Sequence, residues 1–253
     1  MKLRAHGIHA GYGNAEVLHG IDLEVGPGQA LAIVGANGAG KTTLVSTIAG
    51  LRPVTSGSVT LDGIDVTSLS PDRRVESGLV LCPEGRRILA TLTVEENLIL
   101  GGTTVERRRG ARREVRELLA EMYQRFPILQ QRRNNPGGAL SGGQQQLLAI
   151  ARALMSKPKV LMLDEPSLGL APQVISEVYS QLRQLRSEGR AIVLVEEGAR
   201  RALAFADHAI VLAKGSVVLQ GTVAELAVHP ELESAYLGAS VKPASTDEGK
   251  RKS

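Results

Sequence analysis

The chain has 253 residues, 43% of them hydrophobic and 22% charged, which fits one large domain or two small ones and excludes collagen-like, low-complexity and largely disordered classes. One cysteine, Cys82, rules out an internal disulfide and suits a reducing compartment. No apolar run approaches the roughly 18 residues of a membrane-spanning helix, and Met1-Lys2-Leu3-Arg4-Ala5-His6 leads into no signal-peptide core, so a cytoplasmic location is expected, free or peripheral on a membrane.

From the N-terminus, residues 3–8 and 17–25 alternate in polarity and predict an antiparallel portion, to which 58–61 adds a third strand. His6 and His9, three apart on a strand, are expected on opposite faces. His19, His208 and His229 lack acidic or cysteine partners at ligand spacing, so no metal site is expected from histidine. Residues 31–34, 78–81, 160–163, 191–195 and 209–212 are short and apolar throughout, as strands covered on both faces are. Between them lie helical patterns: 41–49; a capping box, Thr93-Val94-Glu95-Glu96, opening a helix through about Leu100; 144–155; and a stripe of Val174, Val178, Leu182 and Leu185. Strands alternating with helices predict an α/β fold.

The stretch 89–135 has no strong strand signal and reads as a helical insertion. It carries most of the basic excess of a chain with formal net charge +4, because residues 106–133 hold nine arginines (107, 108, 109, 112, 113, 116, 125, 132 and 133) against four glutamates. Such a cluster is either a solvated helix face or a surface for phosphates and anionic lipid headgroups. With 2% aromatics and no tryptophan, there are few platforms on which nucleic-acid bases could stack. Residues 241–253 hold one large apolar residue and are expected to be a disordered tail.

Gly35-Ala36-Asn37-Gly38-Ala39-Gly40-Lys41-Thr42 matches G-x-x-x-x-G-K-[ST] between a predicted strand and a predicted helix. Glycines let the backbone curl so that successive N–H groups converge on a phosphate, and the helix dipole adds to that field. Lys41 is expected to reach the β- and γ-phosphates, and Thr42 to offer its hydroxyl to Mg²⁺. The strand at 160–163 runs into Asp164-Glu165, two carboxylates at the tip of a buried strand beside the nucleotide crevice. Asp164 is expected to hold Mg²⁺, and Glu165 to orient or deprotonate the attacking water.

A third string, Leu140-Ser141-Gly142-Gly143-Gln144, follows in the order that marks ABC ATPases, and residues 3–238 resemble that family. The resemblance implies a P-loop NTPase core of RecA-like type within residues 1–240, with an antiparallel β subdomain and a helical subdomain inserted at about 89–156. It implies ATP and Mg²⁺ as cofactors, residues 35–43 including Thr43 around the phosphates, and Tyr12 stacked on adenine. The serine–glycine string would serve ATP held by a second subunit, in a homodimer or a heterodimer.

Three further strings resemble the ATP-binding subunits of high-affinity branched-chain amino-acid importers: Cys82-Pro83-Glu84-Gly85-Arg86-Arg87, Leu92-Thr93-Val94-Glu95-Glu96-Asn97-Leu98, and Glu165-Pro166-Ser167-Leu168-Gly169-Leu170-Ala171-Pro172. That likeness implies coupling of ATP hydrolysis to transport through two membrane permease subunits, fed indirectly by a periplasmic binding protein, with this chain on the inner face of the cell membrane. Glu84, where most ABC proteins have glutamine, would contact the metal and sense the permease. The alternative, a soluble ABC ATPase acting on nucleic acid or in cofactor assembly, usually carries long coiled-coil or zinc-binding insertions that are missing here, and no nucleic-acid partner is expected.

Two positions depart from the pattern. Ala171 stands where an aspartate is common, and Glu197 stands where most ABC ATPases have a histidine that binds the γ-phosphate. An ionised glutamate cannot donate a hydrogen bond and repels phosphate. Glu197 is therefore expected to point away or bind water, leaving turnover to lean on Glu165.

Overall fold

A computed structural model describes residues 1–106 and 112–229. In chain order the elements are β1 (Leu3–Tyr12), β2 (Ala15–Val25), β3 (Ala30–Val34), α1 (Lys41–Ile48), β4 (Ser56–Leu61), β5 (Ile64–Asp65), α2 (Pro71–Glu76), β6 (Leu79–Cys82), α3 (Val94–Gly101), α4 (Thr103–Glu106), α5 (Arg112–Arg125), α6 (Pro127–Gln131), α7 (Gly142–Leu154), β7 (Val160–Asp164), α8 (Pro172–Ser187), β8 (Ala191–Glu196), α9 (Ala199–Phe205), β9 (His208–Ala213), β10 (Ser216–Thr222) and α10 (Val223–Ala227).

The strands form two sheets. One is antiparallel in the order β2-β1-β4-β5; the other runs β10-β9-β3-β8-β7-β6, parallel except for β10 at its edge. The all-apolar strands of the sequence are the interior of this second sheet. In β3, Leu31 and Ile33 enter a core shared with the antiparallel sheet and α1, while Ala30, Ala32 and Val34 enter a core with α7 and α8. Both faces are covered, so the run shows no polar alternation. The strand order places the C-terminal tips of β3, β8, β7 and β6 side by side, the crevice where an open α/β sheet presents its chemistry.

The antiparallel sheet corrects one expectation. Gly7 takes φ +56°, and the register of β1 against both neighbours slips around it. The extra residue shifts the alternation, so Leu3 and Ala5 before it and Ile8 and Ala10 after it are all buried. His6 and His9 therefore share the outer face, where His6 meets Asp22 and His9 meets Glu16, each at 2.6 Å.

Between β6 and α7 the described residues hold four α-helices, a 3₁₀ turn at Gly137–Ala139 and no strand. α3 opens on the capping box expected of it: the Thr93 hydroxyl accepts the Glu96 N–H at 3.1 Å, and the Glu96 carboxylate accepts the Thr93 N–H at 2.8 Å. The arginine cluster has several environments. Arg107, Arg108 and Arg109 lie outside the described residues; Arg113 pairs on the surface with Glu117 at 2.8 Å; Arg125 is buried between Glu121 and Glu188. The expected tail, 241–253, also lies outside the described residues. Among the described residues no helix is long and apolar enough to cross a membrane.

Candidate functional site

The loop from Gly35 to Gly40 joins β3 to α1. Gly40 sits at φ +105°, a left-handed conformation costly for other residues, and a Cβ on Gly35 would lie 2.3 Å from the Leu212 carbonyl oxygen. No side chain caps α1, so its first-turn N–H groups face the loop. Lys41, 6% exposed, folds back: Nζ donates to the Gly35 carbonyl at 2.8 Å and stands 3.5 Å from Glu165 Oε1.

β7 ends at Asp164, which is 2% exposed. The Thr42 hydroxyl neighbours this carboxylate, whose buried Oδ1 has no partner. Burial, with help from the Glu84 and Glu165 charges, pushes the Asp164 carboxyl up to about 6, against the pull of Thr42 and Lys41. A buried carboxylate oxygen without a partner, beside a hydroxyl and facing a phosphate loop, suits a hard cation. Glu165 follows in a left-handed conformation, φ +47°, and its Oε2 accepts the Glu197 backbone N–H at 3.0 Å.

Glu197 does not turn away. Its Oε1 accepts a hydrogen bond from Asn37 Nδ2 at 3.0 Å, across the mouth of a cavity of about 410 Å³ lined by residues 37–43, Glu84, Glu165 and Leu168. Tyr12 stands nearby, half exposed, with its hydroxyl 3.5 Å from Thr43 Oγ1 and the Arg52 guanidinium 3.6 Å from its ring centroid. Lys41, Thr42, Glu84, Asp164, Glu165 and Glu197 are thus brought together, drawn from the tips of four strands.

Residues 140–144 are not part of that cavity. Ser141 is the N-cap of α7; its hydroxyl accepts the Gln144 N–H at 3.3 Å, and Gln144 Oε1 accepts the Ser141 N–H at 3.1 Å. Leu140 is buried. A Cβ on Gly142 would lie 3.0 Å from the Arg86 guanidinium, and one on Gly143 would lie 2.8 Å from Val174. The loop carrying Glu84 is tied to α7, since Arg86 Nη1 donates to Gln145 Oε1 at 3.2 Å and Arg152 Nη2 donates to the Arg87 carbonyl at 2.6 Å.

Sequence reasoning missed three participants. Arg52 follows α1 with no motif around it. Arg86 stands in the Cys82–Arg87 string with nothing in the sequence to link it to α7. Glu196 ends an apolar run, and its partners Ser167 and Tyr179 come from other segments.

The family model described as ABC transporter matches residues 18–168. The chain is 42% identical to the high-affinity branched-chain amino acid transport ATP-binding protein BraG of Pseudomonas aeruginosa, covering 90% of this chain and 95% of that protein. It is 38% identical to the probable branched-chain amino acid transport ATP-binding protein LivF of Archaeoglobus fulgidus, covering 93% and 98%. Among solved structures, the ADP conformation of an ATP-binding cassette of an ABC transporter superposes with TM-score 0.79 at 27% identity, covering 94% and 99%. A dimeric post-hydrolysis cassette bound to ADP and Pi gives 0.77 at 25%, covering 87% and 98%. Sequence and fold agree over nearly the whole chain, and the protein belongs to the ABC transporter family as one of its ATP-binding subunits.

Proposed function

We propose that this chain is the ATP-hydrolysing subunit of an importer for branched-chain or related amino acids. The observation that carries the hydrolytic reading is the convergence of Lys41, Asp164 and Glu165 at neighbouring strand tips, within 3.5 Å for the Lys41–Glu165 pair. ATP lies with its phosphates on the loop of residues 35–43 and its adenine against Tyr12. Lys41 leaves the loop carbonyls for the β- and γ-phosphates. Glu165, held by the Glu197 N–H, orients the attacking water and accepts its proton.

Thr42, Asp164 and Glu84 are the residues that would hold Mg²⁺, and the ion neutralises phosphate charge when bound. Among the described residues no three His, Cys, Asp or Glu side chains form a metal cage of their own. That suits an ion held by one or two carboxylates together with substrate phosphates.

The serine–glycine corner, Leu140 to Gln144, lies outside the cavity of its own chain and is read as the surface that closes on ATP held by a second subunit. The dimeric relative supports that arrangement. Residues 89–156 act as a helical unit inserted in a core that spans residues 1–240. With the Glu84 loop this unit docks on two separate permease subunits at the inner face of the membrane, and a periplasmic binding protein delivers the cargo. The amino-acid cargo is inferred from BraG and LivF, and uptake tests it. Deletion of the gene should abolish import of labelled leucine, isoleucine or valine, with rescue by the wild-type chain and none by Lys41→Ala. Unchanged uptake of all three would sink the cargo reading and leave the ATPase reading standing.

A further inference from the structure

Glu196 is 2% exposed at the end of β8, a strand whose other residues are all apolar. A carboxylate in that setting is costly unless its oxygens are matched, and an aliphatic side chain would continue the strand at no such cost. Each oxygen has its own donor: the Ser167 hydroxyl reaches Oε2 at 2.9 Å, and the Tyr179 hydroxyl reaches Oε1 at 3.1 Å. Arg201 Nη1 donates to Ser167 Oγ at 2.8 Å, which sets a cation one bond away. Burial and the Glu165 charge raise the Glu196 carboxyl, while Ser167, Tyr179 and Arg201 hold it down.

These contacts close a ring around Glu165. In one direction the chain runs from Glu165 through Pro166 to Ser167, whose hydroxyl binds the Glu196 side chain. In the other, Glu165 Oε2 accepts the N–H of Glu197, the peptide joined directly to Glu196. Glu165 itself has φ +47°, a conformation that persists only where its surroundings over-determine it. Tyr179, buried on α8 and packed edge-on against Phe205 at 5.6 Å between centroids, anchors the ring to a rigid helix.

We infer that Glu196 is a positioning residue for hydrolysis: it fixes the Glu196–Glu197 peptide whose N–H aims the Glu165 carboxylate at the attacking water. The inference rests on reading Glu165 as the base. Glu196 touches no substrate, and its effect passes through one N–H.

The test uses the full-length chain, with ATPase kinetics, binding of a fluorescent ATP analogue and the ¹H–¹⁵N shift of the Glu197 amide. Glu196→Gln turns one acceptor into a donor, so the hydroxyl facing it must accept instead of donate and its own hydrogen loses its partner; this should lower kcat by roughly 10–100-fold, the scale of small misplacements of a catalytic group. KM and analogue affinity should stay within twofold. The Glu197 amide proton should move upfield in Glu196→Gln, in the direction it takes in Glu165→Gln, where a weaker neutral amide oxygen replaces the carboxylate acceptor. Tyr179→Phe, which leaves one oxygen unmatched, should shift kcat and the amide in the same direction by less, and it carries the test alone if Glu196→Gln does not fold. Turnover within twofold of wild type, or an unmoved Glu197 amide with any kinetics, overturns the inference. Wild-type turnover in Glu165→Gln instead overturns the base itself, an outcome separate from the first two.

Discussion

Asp164 and Glu197 carry the electrostatics of the site at the scale of single residues. Asp164 titrates near 6 in the folded chain against 3.8 for the free side chain, because it is buried. A raised folded pKa contributes stability that is complete below about pH 4 and is lost as pH climbs through 6. Asp164→Asn is therefore expected to match wild type in unfolding free energy, read from urea titration, at pH 4 and to exceed it at pH 8 by about 2–3 kcal/mol in the absence of nucleotide. The same proton must leave before a cation enters, so Mg²⁺-dependent ATP affinity should fall as pH drops below 6. Glu197→Gln keeps an acceptor for Asn37 while removing a charge at the cavity mouth and adding a donor. A unit charge is worth about 1 kcal/mol at 4 Å in water-like surroundings, so turnover should rise roughly fivefold; no change would place the phosphate beyond reach of this side chain. Asp164, Glu165 and Lys41 were legible because each sits in a short string with its own chemistry. Glu196 was not, since its meaning comes from Ser167, Tyr179 and Arg201, which only the fold brings to it.

Elements were legible where both halves of an interaction lie within four residues, and obscure where one half is remote. The Thr93–Glu96 box is contained in its own turn, so α3 could be placed before its packing was known. Ser141 and Gln144 form the same kind of box, but the string read as a phosphate corner and its capping role emerged only in the structure. β10 carries a short apolar run, Val217-Val218-Leu219, follows the positive-φ turn at Lys214-Gly215 and pairs with β9, a hairpin whose signal lies in the turn rather than in alternation. The bulge at Gly7 escaped because alternation assumes an unbroken register. One approach of elements is testable directly. α3 meets α7 at Gly101, where a Cβ would lie 2.1 Å from the Arg152 carbonyl oxygen. Gly101→Ala must push the two helices apart and should cost about 1–3 kcal/mol, seen as a lower Tm. ATP affinity should persist, because α1 and the phosphate loop belong to the other core. A wild-type Tm would mean the helices separate freely at that point.

For the whole molecule the proposed dimer turns on one observation: Ser141 and its glycines lie outside the lining of the cavity that holds Lys41. Under that proposal a second chain supplies the serine–glycine corner, which separates the structural duty of Ser141 from its functional one. Ser141 caps α7 through its side-chain oxygen. Aspartate caps a helix as well as serine does, whereas alanine costs about 1 kcal/mol. Ser141→Asp should therefore fold with the Tm of wild type and bind ATP normally, since its own loop is untouched. In a closed dimer, however, the new carboxylate would face the partner's γ-phosphate. Two like charges at 4 Å repel by about 4 kcal/mol at an effective dielectric of 20, enough to lower turnover by 10²–10³-fold. The physical readout is mass in solution. Glu165→Gln, which traps ATP by slowing hydrolysis roughly 10²–10⁴-fold, should scatter as twice the chain mass with ATP and as a monomer without it. Glu165→Gln combined with Ser141→Asp should remain monomeric in both. A stable Ser141→Asp chain that hydrolyses at the wild-type rate as a monomer would leave this surface with no part in catalysis.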